Sequence, residues 1–149
     1  MGYYAQTIAG EVIIPKRNLG KAYRAMCELN AHHDLKRGGA FGGNEPRPKG
    51  DKGSRGIPDR WFSWMAWDYD RRCKNAQEIL EALGFYTGYD EKGNLIVGGY
   101  DKKTGQEDLF FEAIAPYVLR RSYLEWEGED GALFKWSFKG GIFEKTYRN

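Results

Sequence analysis

The chain has 149 residues, of which 41% are hydrophobic and 15% aromatic, and its formal net charge is +2 at pH 7. This length fits one domain, and the aromatic share supports a core of large rings, so two independent cores and global disorder are both excluded. The near balance of charge excludes the long-range basic field of an obligate nucleic-acid binder.

The first thirty residues predict a strand followed by a helix. Residues 3–14 are rich in β-branched and aromatic side chains and end at Pro15. Asn18 stands where it can cap a helix that runs to Asn30. Apolar residues recur along one face of this helix at three- and four-residue spacing: Leu19, Ala22, Tyr23, Met26 and Leu29. We expect this helix to pack on a sheet.

A long Gly-rich and Pro-rich segment follows, over residues 31–58. It holds seven of the glycines and three of the five prolines, a composition that neither helices nor strands tolerate. Connections of this length are usually functional or disordered. Residues 31–60 carry seven cations against four acids, so all of the chain's net positive charge lies here. The sequence therefore predicts a flexible basic loop.

Clustered aromatic residues begin where this loop ends. Trp61, Trp64 and Trp67 fall at spacings that fit both a helix and a strand, which favours a short helical turn or an irregular aromatic cluster over residues 59–69. Because large aromatic side chains are highly buried on average, we expect the three tryptophans to anchor the end of the loop in the core. Solvent exposure of these rings would instead indicate a binding surface.

The rest of the chain predicts two more helices and five more strands. One helix begins after Asn75 and ends at Gly84, and the other runs from Glu107 to Tyr117. The strands are predicted over residues 85–89, 95–100, 123–127, 133–138 and 142–147. The order of elements indicates one α+β domain over residues 1–149, with a mostly antiparallel sheet and about three helices on one face.

The loop and the aromatic residues after it form the candidate binding site. Its members are Arg37, Phe41, Arg47, Lys49, Lys52, Arg55, Arg60, Trp61 and Trp64. A protein partner is the first expectation, since a loop that orders on binding can use an aromatic anchor and charge-assisted arginine contacts. Single-stranded nucleic acid is the alternative, because cations among glycines beside stacking rings are typical of such sites.

No catalytic residue, metal ligand or cofactor is predicted. His32 and His33 are the only histidines, and adjacent residues point in different directions. Cys27 and Cys73 lie in no metal-binding spacing and are expected to be buried free thiols. The glycines of residues 38–43 precede prolines rather than a helix, so no phosphate cradle is expected. A hydrolase remains a further alternative and requires a carboxylate or histidine base in a concave site.

Three parts of the chain together resemble small proteins of phages and bacteria to which no activity is assigned. They are Ile13-Ile14-Pro15 with Asn18-Leu19, Trp61-Phe62-Ser63-Trp64 with Cys73-Lys74 and residues 79–85, and residues 123–131. The resemblance implies a phage or mobile-element accessory protein that engages, or inhibits, a host or defence protein. It carries over no catalytic residue.

The expected location is the cytoplasm, that of the host cell if the protein is phage-encoded. The sequence shows no charged-then-apolar leader, and no apolar run approaches the length of a membrane span.

Overall fold

An antiparallel sheet with helices on one face accounts for most of residues 3–36 and 60–148, which are the residues that the computed structural model describes. The predicted α+β class is confirmed. Most of the predicted loop lies outside the described residues, and with it the candidate binding residues Arg37, Phe41, Arg47, Lys49, Lys52 and Arg55.

The described residues form seven strands and four α-helices, one more helix than predicted. The strands are β1 (Tyr3–Ile14), β2 (Thr87–Tyr89), β3 (Leu95–Val97), β4 (Asp101–Thr104), β5 (Tyr123–Gly128), β6 (Leu133–Lys139) and β7 (Ile142–Arg148). The helices are α1 (Leu19–Leu29), α2 (Tyr69–Arg72), α3 (Ala76–Leu83) and α4 (Glu107–Ile114). The additional helix, α2, is a single turn that begins at Tyr69, at the end of the segment 59–69 for which a short helical turn or an irregular cluster was predicted. None of the described helices has the length and apolar character needed to cross a membrane.

The long strand β1 organises the sheet, whose neighbours run in the order β2, β3, β1, β5, β6, β7. Residues Val12–Ile14 of β1 pair with β3, and residues Tyr3–Gln6 pair with β4. Strands β3 and β4 therefore lie end to end along one edge of β1, while β5 occupies its other edge. A register shift between Thr7 and Ala9 bends β1 against β5.

The local helix signals are confirmed at one helix and wrong at another. The Asn75 side chain accepts a hydrogen bond from the Glu78 amide at 2.9 Å, and Gly84 ends α3 in the left-handed region at φ 118°. The predicted cap at Asn18 does not form: its side-chain oxygen accepts from no helix amide, and its side-chain amide donates to the Tyr117 carbonyl at 3.1 Å. A 3₁₀ turn leads into α1 instead.

The predicted strands over residues 85–89 and 95–100 shorten to β2 and β3. Phe85 and Tyr100 leave the hairpin and pack against each other in the core, with ring centres 4.7 Å apart. The adjoining strand β4 was not predicted. Its residues lack the alternation of apolar and polar side chains that marks a half-buried strand, and it pairs with β1 through the backbone.

The core between the sheet and the helices is largely aromatic. Phe110 and Phe111 of α4 are fully buried, and Phe111 packs on Trp136 of β6 at 5.4 Å between ring centres. Trp136 in turn contacts Trp126 of β5 at 4.7 Å. Helix α4 thus covers the middle of the sheet, and its first turn lies where the covered part of the sheet ends.

Candidate binding surface

The two described chain ends that flank residues 37–59 are tied together by hydrogen bonds. The Gln106 side chain donates to the Leu35 carbonyl at 2.5 Å and accepts from the Ser63 amide at 3.2 Å. The Asn30 side chain donates to the Trp67 carbonyl at 2.9 Å. The described residues on the two sides of 37–59 therefore lie at one place on the fold.

Lys36, the last described residue before the gap, is only 1% exposed. Its Nζ donates to the Asn30 carbonyl at 2.6 Å and lies 3.2 Å from His33 Nδ1. It also lies 5.5 Å from the centre of the Phe62 ring. Burial lowers the pKa of Lys36, and the charge of Asp70 opposes that shift in part. Lys36 is therefore packed into the fold and does not form part of an exposed basic patch.

The tryptophans after the loop are not its core anchors. Trp64 is 43% exposed, so the prediction that it is anchored in the core is wrong, and Trp61 and Trp67 are half-buried. The buried residues of this segment are Phe62 and Met65, which lie between the tryptophans. The spacing of the rings identified the anchoring segment but assigned its inner and outer faces incorrectly.

Trp64 is held in an unusual conformation by close neighbours. Its φ is 73°, in the left-handed region that large side chains rarely adopt. Lys102 Nζ lies 5.3 Å from the centre of its ring. Gly105 lets Ser63 and Trp64 pack closely against its backbone, because a Cβ at this position would lie 2.5 Å from Ser63 Cβ and 2.9 Å from Trp64 Nε1. We call Trp64, Lys102, Gly105 and the adjacent Arg60, Trp61 and Ser63 the Trp64 surface.

Three of the nine candidate binding residues thus lie at one place: Arg60 and Trp64 are exposed, and Trp61 is half-buried. The other six lie in the part of the chain that the structure does not describe. Lys102 and Gly105 join this surface from β4 and the turn that follows it, and sequence reasoning missed both.

A groove next to the Trp64 surface was also missed by sequence reasoning. It encloses about 400 Å³ and lies where α4 begins, with Gly105 in its wall. Five aromatic side chains line it: Tyr3, Trp126, Phe134, Trp136 and Tyr147. We call this cavity the aromatic groove. Strand pairing accounts for it, because Trp126, Phe134 and Tyr147 are successive cross-strand partners on the face of the sheet that α4 covers elsewhere.

The carboxylates of the aromatic groove already accept hydrogen bonds from the protein. Glu107 accepts from the Gly105 amide at 2.6 Å and from the Tyr100 hydroxyl. Burial raises the pKa of Glu107, while these hydrogen bonds oppose the shift. Asp108 accepts from Lys145 Nζ at 2.7 Å.

Asp130, at the rim of the groove, pairs with a tyrosine. It accepts hydrogen bonds from the Tyr3 hydroxyl at 2.5 Å and from the Ala132 amide at 3.1 Å. The bond from Tyr3 lowers the pKa of Asp130, and the same bond raises the pKa of Tyr3 to about 12.

Two residues that line the groove, Trp126 and Trp136, have indole N–H groups that are buried beneath its surface and have no such partners among the described residues. Trp126 is 1% exposed and Trp136 is 7% exposed, and within the described residues neither indole N–H has a hydrogen-bond acceptor. Buried polar groups are hydrogen-bonded in the great majority of cases, so this pair is unusual. The groove thus presents carboxylates that are already paired, and the two unpaired N–H groups are not accessible from it.

The geometry offers little to a catalytic interpretation. His32 and His33 are exposed. Cys27 and Cys73 are free thiols as expected but are half-buried, and burial raises the pKa of both, which disfavours the nucleophilic thiolate. Among the described residues, no group of three or more His, Cys, Asp and Glu side chains is placed to hold a metal ion.

Comparison with known proteins yields no relative. No family model, no curated protein and no solved structure matches the chain. The resemblance to phage and bacterial proteins therefore stays a prediction.

Proposed function

We propose that the chain is a non-enzymatic binding protein whose Trp64 surface contacts a protein partner. In the phage or mobile-element setting that the sequence implies, this partner is a host or defence protein. The observation that carries the proposal is the conformation of Trp64, a large apolar ring that is 43% exposed and lies on a left-handed residue.

Physical reasons connect that observation to binding. A non-glycine residue in this backbone region destabilises the fold by about 1–3 kcal/mol, and such residues concentrate at functional sites. Tryptophan and arginine are enriched among the side chains that dominate binding energies. Leu35 and Ser63 are joined through Gln106, so the described residues that flank 37–59 lie beside the exposed Arg60 and Trp64.

Single-stranded nucleic acid is the second candidate. Trp64 with Lys102 near its ring is an arrangement on which a base can stack beside a cation that neutralises phosphate. The two candidates differ in their dependence on salt, because phosphate contacts release counterions and weaken steeply as salt rises.

The test is capture of a partner by the immobilised full-length chain from a lysate of the cell in which its gene resides, with and without nuclease. The captured protein is then purified and its affinity measured for the wild type and for Trp64→Ala. We expect a loss of about thirtyfold, the effect of removing an anchor worth about 2 kcal/mol.

Tyr89→Ala is the matched control, since Tyr89 is 48% exposed and lies on β2, away from the Trp64 surface. An unchanged affinity in Trp64→Ala contradicts the proposal, and so does an equal loss in Tyr89→Ala. Capture that disappears with nuclease and falls steeply with salt favours the nucleic-acid alternative.

A further inference from the structure

We propose that strand β7 pairs antiparallel with β7 of a second copy of this chain, in the register that places Thr146 opposite Thr146 on a twofold axis. The surface that carries the inference is the outer edge of β7, which has no partner strand among the described residues. The pairing joins the sheets of the two copies into one. It does not involve Trp64 and is independent of the partner proposed for that surface.

Strand β7 is the longest edge strand of the described sheet. All seven of its residues pair with β6 without a register shift, whereas the edge strands β2 and β4 have three and four residues. Proteins commonly protect an edge by making it short or by placing a bulge or a proline in it, and β7 has none of these. A charged side chain can also protect an edge, but Lys145 is held by Asp108 at 2.7 Å. The backbone of β7 is therefore open to another strand.

The turn between β6 and β7 determines which backbone groups face outward. Gly140 and Gly141 both have positive φ, 58° and 84°, as in a two-residue type I′ turn. The pair that closes such a turn is hydrogen-bonded, and hydrogen-bonded residues alternate along an antiparallel strand. Ile142 and the other even-numbered residues of β7 consequently bond to β6. The odd-numbered residues, among them Lys145 and Tyr147, direct their N–H and C=O groups outward.

The side chains of β7 are self-complementary in the proposed register. Glu144, Thr146 and Arg148 alternate with residues that lie opposite the core rings of β6, so they share the face of the sheet that the helices leave open. With Thr146 on the axis, Glu144 of each copy lies opposite Arg148 of the other. These are non-hydrogen-bonded pairs, in which side chains approach most closely. Opposite charges and paired threonines both stabilise such contacts.

The neighbouring registers are less favourable. An axis at Lys145 places two lysines opposite each other, and an axis at Glu144 does the same with two glutamates. Arg148 already lies 3.9 Å from Glu125, but that distance is longer than a hydrogen bond and the Arg148 side chain is 69% exposed. Its guanidinium has five donors, so it can contact Glu144 of a second copy as well. Charge thus selects the axis at Thr146.

The test measures self-association of the full chain by sedimentation equilibrium. An edge contact between two short strands is smaller than a standard interface, so we expect a dissociation constant of about 100 µM. Glu144→Arg turns two attractive pairs into two repulsive ones and should weaken association about thirtyfold, and Arg148→Glu should do the same. Glu91→Arg and Lys92→Glu are the matched controls. They change the net charge equally at exposed positions of the turn after β2 and should associate as the wild type does.

A mixture of the two β7 variants gives the sharpest result. When Glu144→Arg meets Arg148→Glu, both cross-strand pairs join opposite charges again, so the mixture should associate although neither variant does so alone. The double variant Glu144→Arg with Arg148→Glu should also recover self-association. Recovery in either case shows that the single variants are folded. A mixture of Glu91→Arg with Lys92→Glu controls for attraction by net charge and should associate no more tightly than the wild type.

Hydrogen exchange locates the contact. The amides of Lys145 and Tyr147 should gain protection as the protein concentration rises, whereas the Thr146 amide, which bonds to β6, should be protected throughout. The inference is overturned if the chain stays monomeric up to about 1 mM, if the β7 variants associate normally, if their mixture does not associate, or if these two amides stay unprotected in the dimer.

Other occupants of the edge give different results. Protection of Lys145 and Tyr147 at the lowest concentration means that another part of the same chain covers β7, and it overturns the inference. Protection that requires a captured protein assigns the edge to that protein and rejects the second copy. Trp64→Ala should leave the dimer unchanged, so this inference and the proposed function can fail separately.

Discussion

At the scale of single residues, Trp64 occupies a conformation that glycine adopts at no steric cost. Ordinarily alanine is the more stable choice of the two, because glycine gains more freedom in the unfolded chain. At φ 73° that order should reverse, since the Cβ of alanine is strained there.

We therefore expect Trp64→Gly to be more stable than Trp64→Ala by about 1 kcal/mol, as measured by urea unfolding. The same pair at Trp67, whose φ is not positive, is the control and should show alanine as the more stable. Equal stabilities of the two Trp64 variants would mean that the left-handed conformation is not strained.

Glu107 provides a pH-dependent test at the same scale. Its pKa in the folded chain is raised by burial above the ordinary 4.5, so the folded state holds a proton that the unfolded state has released. The free energy of unfolding should therefore fall as pH rises from about 4.5 towards the raised pKa.

Glu107→Gln lacks this titration, so the fall should be absent from the variant when unfolding is followed across that range. Below pH 4.5 the carboxyl is neutral in both states, and the two proteins should differ least there. The lowered pKa of Asp130 acts at more acidic pH, and Asp130→Asn, which leaves the titration of Glu107 in place, is the control. A parallel pH dependence in wild type and Glu107→Gln would contradict the assignment.

At the scale of elements, Gln106 joins three parts of the chain: the end of the first described range, the start of the second, and the start of α4. Its side chain is 8% exposed and satisfies both the Leu35 carbonyl and the Ser63 amide. A backbone group left without a partner destabilises a fold by about 1–3 kcal/mol when it is buried, and these two part-buried groups belong at the lower end of that range. One side chain therefore links the Trp64 surface to both of the other parts.

Gln106→Leu should lower the free energy of unfolding by about 1–3 kcal/mol and abolish protection of the Ser63 amide from hydrogen exchange. Gln77→Leu is the matched control, because the Gln77 amide donates to Thr87 Oγ1 at 3.0 Å, on the hairpin. Ser63 should remain protected in that variant. Retained protection in Gln106→Leu would show that the residues around Ser63 are held against the fold by other contacts.

Sequence patterns predicted elements well where the deciding interactions are local. The cap at Asn75 and the end at Gly84 depend on neighbouring backbone atoms, and both are confirmed. Asn18 has the same local signal, but its side-chain amide donates a hydrogen bond to the Tyr117 carbonyl, which is distant in the sequence. The strand β4 was missed for a related reason, since its residues owe their conformation to β1 rather than to their own side chains.

At the scale of the whole molecule, the α+β class and the three C-terminal strands followed from alternation and turn residues alone. The aromatic groove could not be predicted, although Trp126, Phe134 and Trp136 were correctly assigned to strands. Its existence depends on where α4 stops covering the sheet, which no local pattern encodes. The buried and exposed sides of residues 61–67 were predicted wrongly for a similar reason, because Phe62 is buried by contact with Phe110 of the distant helix α4.

Strand β1 also determines the order in which this protein can assemble. It precedes in the chain every strand with which it pairs: Ala5 pairs with Gly128 and Val12 with Val97, so both of its edges stay unpaired until residues much later in the chain have been synthesised. Closing such distant pairs is slow, since the entropy of the intervening chain is lost before the contacts form. Until β5 emerges, a twelve-residue strand carries an open edge, and during that interval the nascent chain is most exposed to aggregation.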